Sequence, residues 1–299
     1  MNNRIVVRTL LALVSVSMAC AMVQAQPAAA PAKQPAVKSA AEGQALQAIF
    51  HSADNQARIK LATDFLVKFA DSDFKALVLM VTAETYRQLN DYANMIIYAE
   101  RTLETDPNHY MAMLMLASGI GQRTREFDLD REEKLGRVEK YANRAMEILK
   151  TAPKPNPQMT DTQWEQAKAA FNSQAHEALA MAAAARKNYD VAFTEFKTAI
   201  ALSTPPDPAT QARLGSLYVK AQKYDDAIAI LDVVIATPEV HPQVKQYAQV
   251  ERARAIQAKG AAKPAAPAPA ATPAPAATPA PAATPAPAAA PAPAEPKKP

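Results

Sequence analysis

Residues 76–109 read ALVLMVTAETYRQLNDYANMIIYAERTLETDPNH, and the spacing of their apolar residues decides the fold. Leu79, Ala83 and Tyr86 recur at steps of four and three, so they share one stripe of a helix. Asn90-Asp91 interrupts the run with two residues that favour turns over helix interiors. Tyr92, Met95, Ile96, Ala99 and Leu103 then form a second stripe, closed by Asp106-Pro107-Asn108. Two helices of this length cannot bury their apolar faces alone, so the unit must stack on others of its kind.

The same spacing returns three times downstream. Leu79, Ala83 and Tyr86 correspond to Met113, Ala117 and Ile120 at an offset of 34 residues, while Ala99 corresponds to Ala142 at an offset of 43. Nine residues are therefore inserted in the second unit, within the charged run Arg123–Lys134. Tyr189, Ala192, Phe193, Phe196, Ala199 and Ile200 of a third unit return 35 residues later as Tyr224, Ala227, Ile228, Leu231, Val234 and Ile235. Ala83, Ala117, Ala180 and Gly215 hold one equivalent position, where their small size predicts a close approach of paired helices. The expected fold is all-α: an α-solenoid of stacked antiparallel helix pairs, with units at about 76–109, 110–153, 173–206 and 208–239.

Further elements complete a helical repeat domain over 42–259. Residues 43–53 and 55–70 read as an upstream pair, with Leu61, Phe65, Leu66 and Phe69 on its second stripe. Residues 244–258 read as a cap helix, with Tyr247, Val250 and Ile256 turned inward. Pro153, Pro155 and Pro157 separate units two and three, and a long helix starts at Thr160-Asp161. Its Trp164 and Phe171 are expected to pack on the second unit.

Leu214-Gly215, Tyr218, Tyr224 and Ala227, together with Tyr86, Asn90-Asp91-Tyr92 and Asp106-Pro107, resemble the signature of the tetratricopeptide repeat. The resemblance covers roughly 76–239 and is weaker in the second and third units, and the family's tryptophan position is Leu79, Met113, His176 and Gln211 here. It implies a right-handed superhelix whose first helices line a concave face, and a scaffold that binds a protein or peptide there. By position it singles out Leu77, Met80, Glu84 and Arg87 in the first unit, then Met111, Leu114, Met115, Ser118 and Gln122 in the second. Further along it singles out Glu177, Met181, Arg213, Ser216, Val219 and Lys220. The groove so drawn is apolar in its N-terminal half and basic in its C-terminal half. Methionines adapt to irregular apolar ligands, but the pattern alone does not separate a groove Met80, Met111 or Met115 from a core one. Leu114 and Ser118 stand where one subfamily has the lysine and asparagine that grip C-terminal carboxylates, so that function is not carried over.

At the N-terminus, Arg4 and Arg8 precede the apolar run Leu10–Val16, and Val23-Gln24-Ala25 places small residues at a cleavage site. Residues 1–25 read as a secretory signal peptide, so an exported, periplasmic protein is expected. Secretion, or a lipid anchor on Cys20, are the alternatives, though Ser17 stands where a lipidation motif has a branched apolar residue. Cys20 is the only cysteine, so cleavage after Ala25 leaves no disulfide. Residues 26–41 and 260–299 are Ala/Pro-rich, the latter with a six-residue period marked by Thr272, Thr278 and Thr284. Proline at that density removes backbone donors, so both stretches read as disordered. A second reading makes the protein a structural adaptor whose tail tethers it to peptidoglycan or outer-membrane machinery.

Composition and motifs exclude much else. Without the leader, 31 basic residues face 29 acidic ones, a net charge of +2 that makes no case for a nucleic-acid partner. The chain has six glycines and no Gly-rich phosphate loop. Asp128, Asp130, Glu132 and Glu139 fall at calcium-loop spacing, but Glu133 stands where the loop needs glycine. A helix start with Asp130 as N-cap and Glu133 closing a capping box is expected instead. His51, His109, His176 and His241 lie at no metal-ligand spacing. His176 is expected to be a partly buried, satisfied side chain, and His109 and His241 to be exposed. No catalytic constellation is present. The sequence therefore points to an unidentified protein or peptide partner, with no cofactor, metal or small-molecule substrate, and with peripheral association with the cell envelope.

Overall fold

The computed structural model describes residues 35–262; the expected signal peptide, Cys20, most of the 26–41 linker and nearly all of the 260–299 tail lie outside them. Among the described residues the chain forms helices and no strands. They are α1 Ala40–His51, α2 Asn55–Lys68, α3 Lys75–Gln88, α4 Tyr92–Thr105, α5 Tyr110–Arg123 and α6 Arg131–Thr151. Then come α7 Asp161–Ala185, α8 Tyr189–Leu202, α9 Pro208–Lys220, α10 Tyr224–Ala236 and α11 Pro242–Ala262. Neighbours pack pairwise and the pairs stack, which makes the molecule an α-solenoid.

One turn builds three of the pairs. Asn90, Lys187 and Gln222 adopt positive φ of 58°, 63° and 60°. Each lets the next amide turn back to the helix just ended: Asp91 N to Tyr86 O, Asn188 N to Ala183 O and Lys223 N to Tyr218 O, all at 2.9 Å. This is the left-handed C-cap of a helix, made here without glycine. A tyrosine then opens the second helix in all three cases. The α5–α6 connection departs from the pattern. Residues 124–130 form a loop there, and Asp130 precedes α6 without a side-chain cap bond. The expected capping box is absent because the Asp130 carboxylate pairs with Lys134 at 2.9 Å.

The cores follow the stripes. Ala83, Ala99, Leu116, Leu135, Val138 and Ala142 are fully buried in the largest cluster, which also takes Trp164 and Phe171 from α7. Trp164 Nε1 donates to Ala152 O at 3.2 Å, satisfying the indole that the core encloses. A second cluster joins Phe193, Phe196, Leu214, Leu217, Leu231 and Val234. A smaller one holds Leu46, Ile49, Ala62, Phe65 and Val78 under α1 and α2. Glu42 is 1% exposed and accepts from Ser72 Oγ and from Lys38 N, so the acid ties α1 to the α2–α3 turn.

The last helix sits in a different register from the one its apolar residues suggest. Tyr247, Val250 and Ile256 are 42%, 45% and 46% exposed, whereas Ala248, Glu251 and Ala255 are buried. Steps of three and four place these three on one stripe. The alanines let α11 lie close on the preceding pair, and Ser216 Oγ donates to Glu251 Oε2 at 3.2 Å. Arg252–Asp232 and Lys259–Asp225 pairs fasten its sides to α10.

Candidate binding groove

A groove of about 610 Å³ runs along the first half of the array. Leu77, Met80, Glu84 and Arg87 from α3 line it with Met111, Leu114, Met115, Ser118 and Gln122 from α5. The structure thus brings the expected residues of the first two units around one space. Leu114 and Met95 are buried beneath its floor, at 2% and 1% exposed, while Met80, Met111 and Met115 are half-buried and face it. Met111 and Met115 hold both roles that the pattern left open, packing on the largest core below and forming an adaptable apolar surface above, while Met80 belongs to the groove.

Other elements complete the wall. Phe50 of α1, Arg58 of α2, Tyr92 of α4, His109 at the N-cap of α5, and Phe171 of α7 all line the groove. Phe171 meets Tyr110 edge-on at 5.3 Å, and burial pushes the pKa of the Tyr110 phenol up to about 12. His109 is half-buried rather than exposed, because its ring caps α5: Ala112 N donates to Nδ1 at 3.3 Å. Burial holds its pKa below the ordinary histidine value, with Asp106 opposing the shift.

Charge in the groove is sparse and mainly positive. Arg87 is held by Glu84 through two bonds of 2.7 and 2.6 Å. Arg58 donates to Asn55 Oδ1 and Ser52 O and has no carboxylate partner among the described residues. At the lip, Arg123 stacks 4.8 Å over the Tyr92 ring beside Gln122. A mostly apolar concavity with a few convergent polar groups is the ordinary form of a ligand site.

Glu177, Met181, Arg213, Ser216, Val219 and Lys220 lie outside this groove. Glu177 is half-buried and paired with Arg213, and it accepts from Thr210 Oγ1 at 3.1 Å. Burial raises the Glu177 carboxyl against the pull of Arg213. Arg213 is therefore neutralised within the fold, and Ser216, at 7% exposed, is committed to Glu251. Met181 packs against both large cores, Val219 packs on the second, and Lys220 is exposed. His176 bonds Glu195 at 2.6 Å, and His241 is exposed. No group of three or more metal-ligating side chains occurs among the described residues.

Residues 78–109 match the tetratricopeptide repeat family model. No curated protein matches the chain. Among solved structures, the chain is similar to a thermophilic tetratricopeptide-repeat protein of Thermus thermophilus, at 16% identity and a TM-score of 0.49, covering 72% of this chain and 99% of that one. It is also similar to MamA, at 17% identity and a TM-score of 0.33, covering 66% and 99%. A third is Acl4, an assembly chaperone of RpL4, at 13% identity and a TM-score of 0.37, covering 74% and 97%.

Proposed function

Starting from a tetratricopeptide-repeat protein, we propose an exported, periplasmic interaction scaffold that holds a protein or peptide partner in the groove over α3 and α5. The carrying observation is the groove itself: a 610 Å³ apolar concavity built from positions that recur between units, with Arg58, Glu84 and Arg87 on its walls. Half-buried methionines and aromatic rings suit an apolar segment, and the few charges fix its orientation. Export is supported by the leader-like residues 1–25, and the Ala/Pro-rich 260–299 acts in this reading as a spacer.

Site-specific photo-crosslinking in the full chain tests the proposal. A crosslinker at Met111 or Gln122 is expected to capture a discrete species that Met115→Glu abolishes, while a crosslinker at exposed Glu104 captures none. Equal capture from both positions, or none from the groove, would overturn it. Cell fractionation separately tests the compartment: a full-length chain retained in the cytosol removes the export half of the reading.

A further inference from the structure

Phe127 and Leu129 are 90% and 108% exposed, more than any other large hydrophobic residue among those described. They stand in Glu126-Phe127-Asp128-Leu129-Asp130, a strict alternation of acidic and apolar residues within the inserted loop. The loop is braced rather than loose. Arg125 N donates to Asp128 Oδ2 at 3.2 Å, Lys134 pairs with Asp128 and Asp130 at 2.9 Å, and Arg131 reaches Ala185 O. Glu126 pairs with Lys187 at 2.9 Å across the next turn. These bonds fix the loop backbone and leave two apolar side chains in water, which a protein surface ordinarily avoids at neighbouring positions.

We propose that this loop seats in the groove of a second copy of the chain, reciprocally, so that two chains close on each other. The proposal rests on the groove being a binding site and names its occupant. Position and charge together carry the choice. The loop presents three carboxylates in five residues; Lys187 holds Glu126 and Lys134 holds Asp128 and Asp130, yet Glu126 and Asp130 stay 56% and 54% exposed at their side chains. The groove wall presents Arg58 without a carboxylate partner among the described residues, and Arg123 at its lip. An apolar floor of Met80 and Met111 would take Phe127 and Leu129, as methionines accommodate shapes that rigid side chains do not. Position supports a closed pair: the loop leaves α5 directly after Gln122, which itself lines the groove, so knob and hole share one edge of each chain. Reciprocal contact between identical patches gives a two-fold dimer, which closes and does not polymerise.

Light scattering on the full chain, from low to high micromolar concentration, tests this. The expected mass is that of a dimer, with F127S/L129S and, separately, R58E monomeric at the same concentrations. The double variant alters only exposed side chains, so its fold serves as the control. Mixing the two variants in equal amounts is expected to restore a heterodimer with one seat filled, weakened at least about tenfold relative to the wild-type pair. A wild-type chain that stays monomeric, or a dimer indifferent to either variant, overturns the proposal. A labelled peptide spanning Arg123–Lys134 separates the two readings. If it binds the groove while the chain remains monomeric, self-pairing fails and the groove stands. Flotation with phosphatidylglycerol vesicles that depends on Phe127 and Leu129 would likewise overturn self-pairing.

Discussion

Gly215 shows how tightly single positions are specified. A Cβ placed there would lie 2.6 Å from both Cγ and Cδ2 of Leu231, a branched side chain with no exposed surface to move into. Alanine gains about 1 kcal/mol of helix propensity but costs roughly 1–3 kcal/mol in overpacking, so Gly215→Ala is expected to lose about 1 kcal/mol in urea unfolding. Gly119→Ala meets only the terminal methyl of Met95, a flexible side chain that also lines the groove, and is expected to be near neutral. His109 supplies a second residue-level test. Its depressed pKa means that the neutral, capping form belongs to the fold. Its contribution is complete above pH 6.5 and is lost as the pH falls through the lower folded value. His109→Asn keeps a side-chain cap without that titration, so its stability should decline less than the wild type between pH 7 and pH 5, as read by urea midpoints. Small residues at a repeated position were legible in the sequence, because equivalence across units exposes them. The burial of His109 was not, because it depends on neighbours brought in by packing.

At the scale of the element, the turns carry the clearest record of the sequence. Asn90, Lys187 and Gln222 each hold the left-handed conformation that glycine adopts without penalty. Relief of about 1–2 kcal/mol of backbone strain, less the roughly 0.5–1 kcal/mol of added chain entropy, leaves Gln222→Gly about 0.5–1 kcal/mol more stable in thermal or urea unfolding. Asn90-Asp91-Tyr92 announced its turn because asparagine and aspartate have that preference, whereas Lys187 and Gln222 are recognised only by the tyrosine that follows. The cap helix shows where periodicity misleads. Tyr247, Val250 and Ile256 are the large apolar residues of α11, yet Ala248, Glu251 and Ala255 face the core. The surface of α9 and α10 accepts small side chains and supplies Ser216 to the acid, and those are properties of the neighbour.

Across the whole molecule, the stacking was readable from the repeats and half of the groove from their first helices. Phe50, Arg58 and Phe171 reach that groove from an upstream pair and from the helix beyond the proline break. No local pattern joins residues so distant in the chain. The long helix α7 decides how the array behaves as one body. It contributes Trp164, Phe171, Ala175 and Ala178 to the first large core, and Ala180 and Ala183 to the second. Hydrogen exchange is therefore expected to find α5 to α10 opening with a common free energy, while α1 and α2, over their smaller cluster, exchange sooner. Separate openings for α5–α6 and α9–α10 would show that α7 does not couple them.

That shared helix also has a mechanical meaning. It is 25 residues long, about 37 Å at 1.5 Å per residue, and its sides are glued to both halves of the stack. Loads applied at the two ends of the folded region would peel the outer helices first, while α7 acts as a tie rod across the middle. The molecule then lengthens under tension from its ends inward, with the methionine-lined groove set against the rod that yields last.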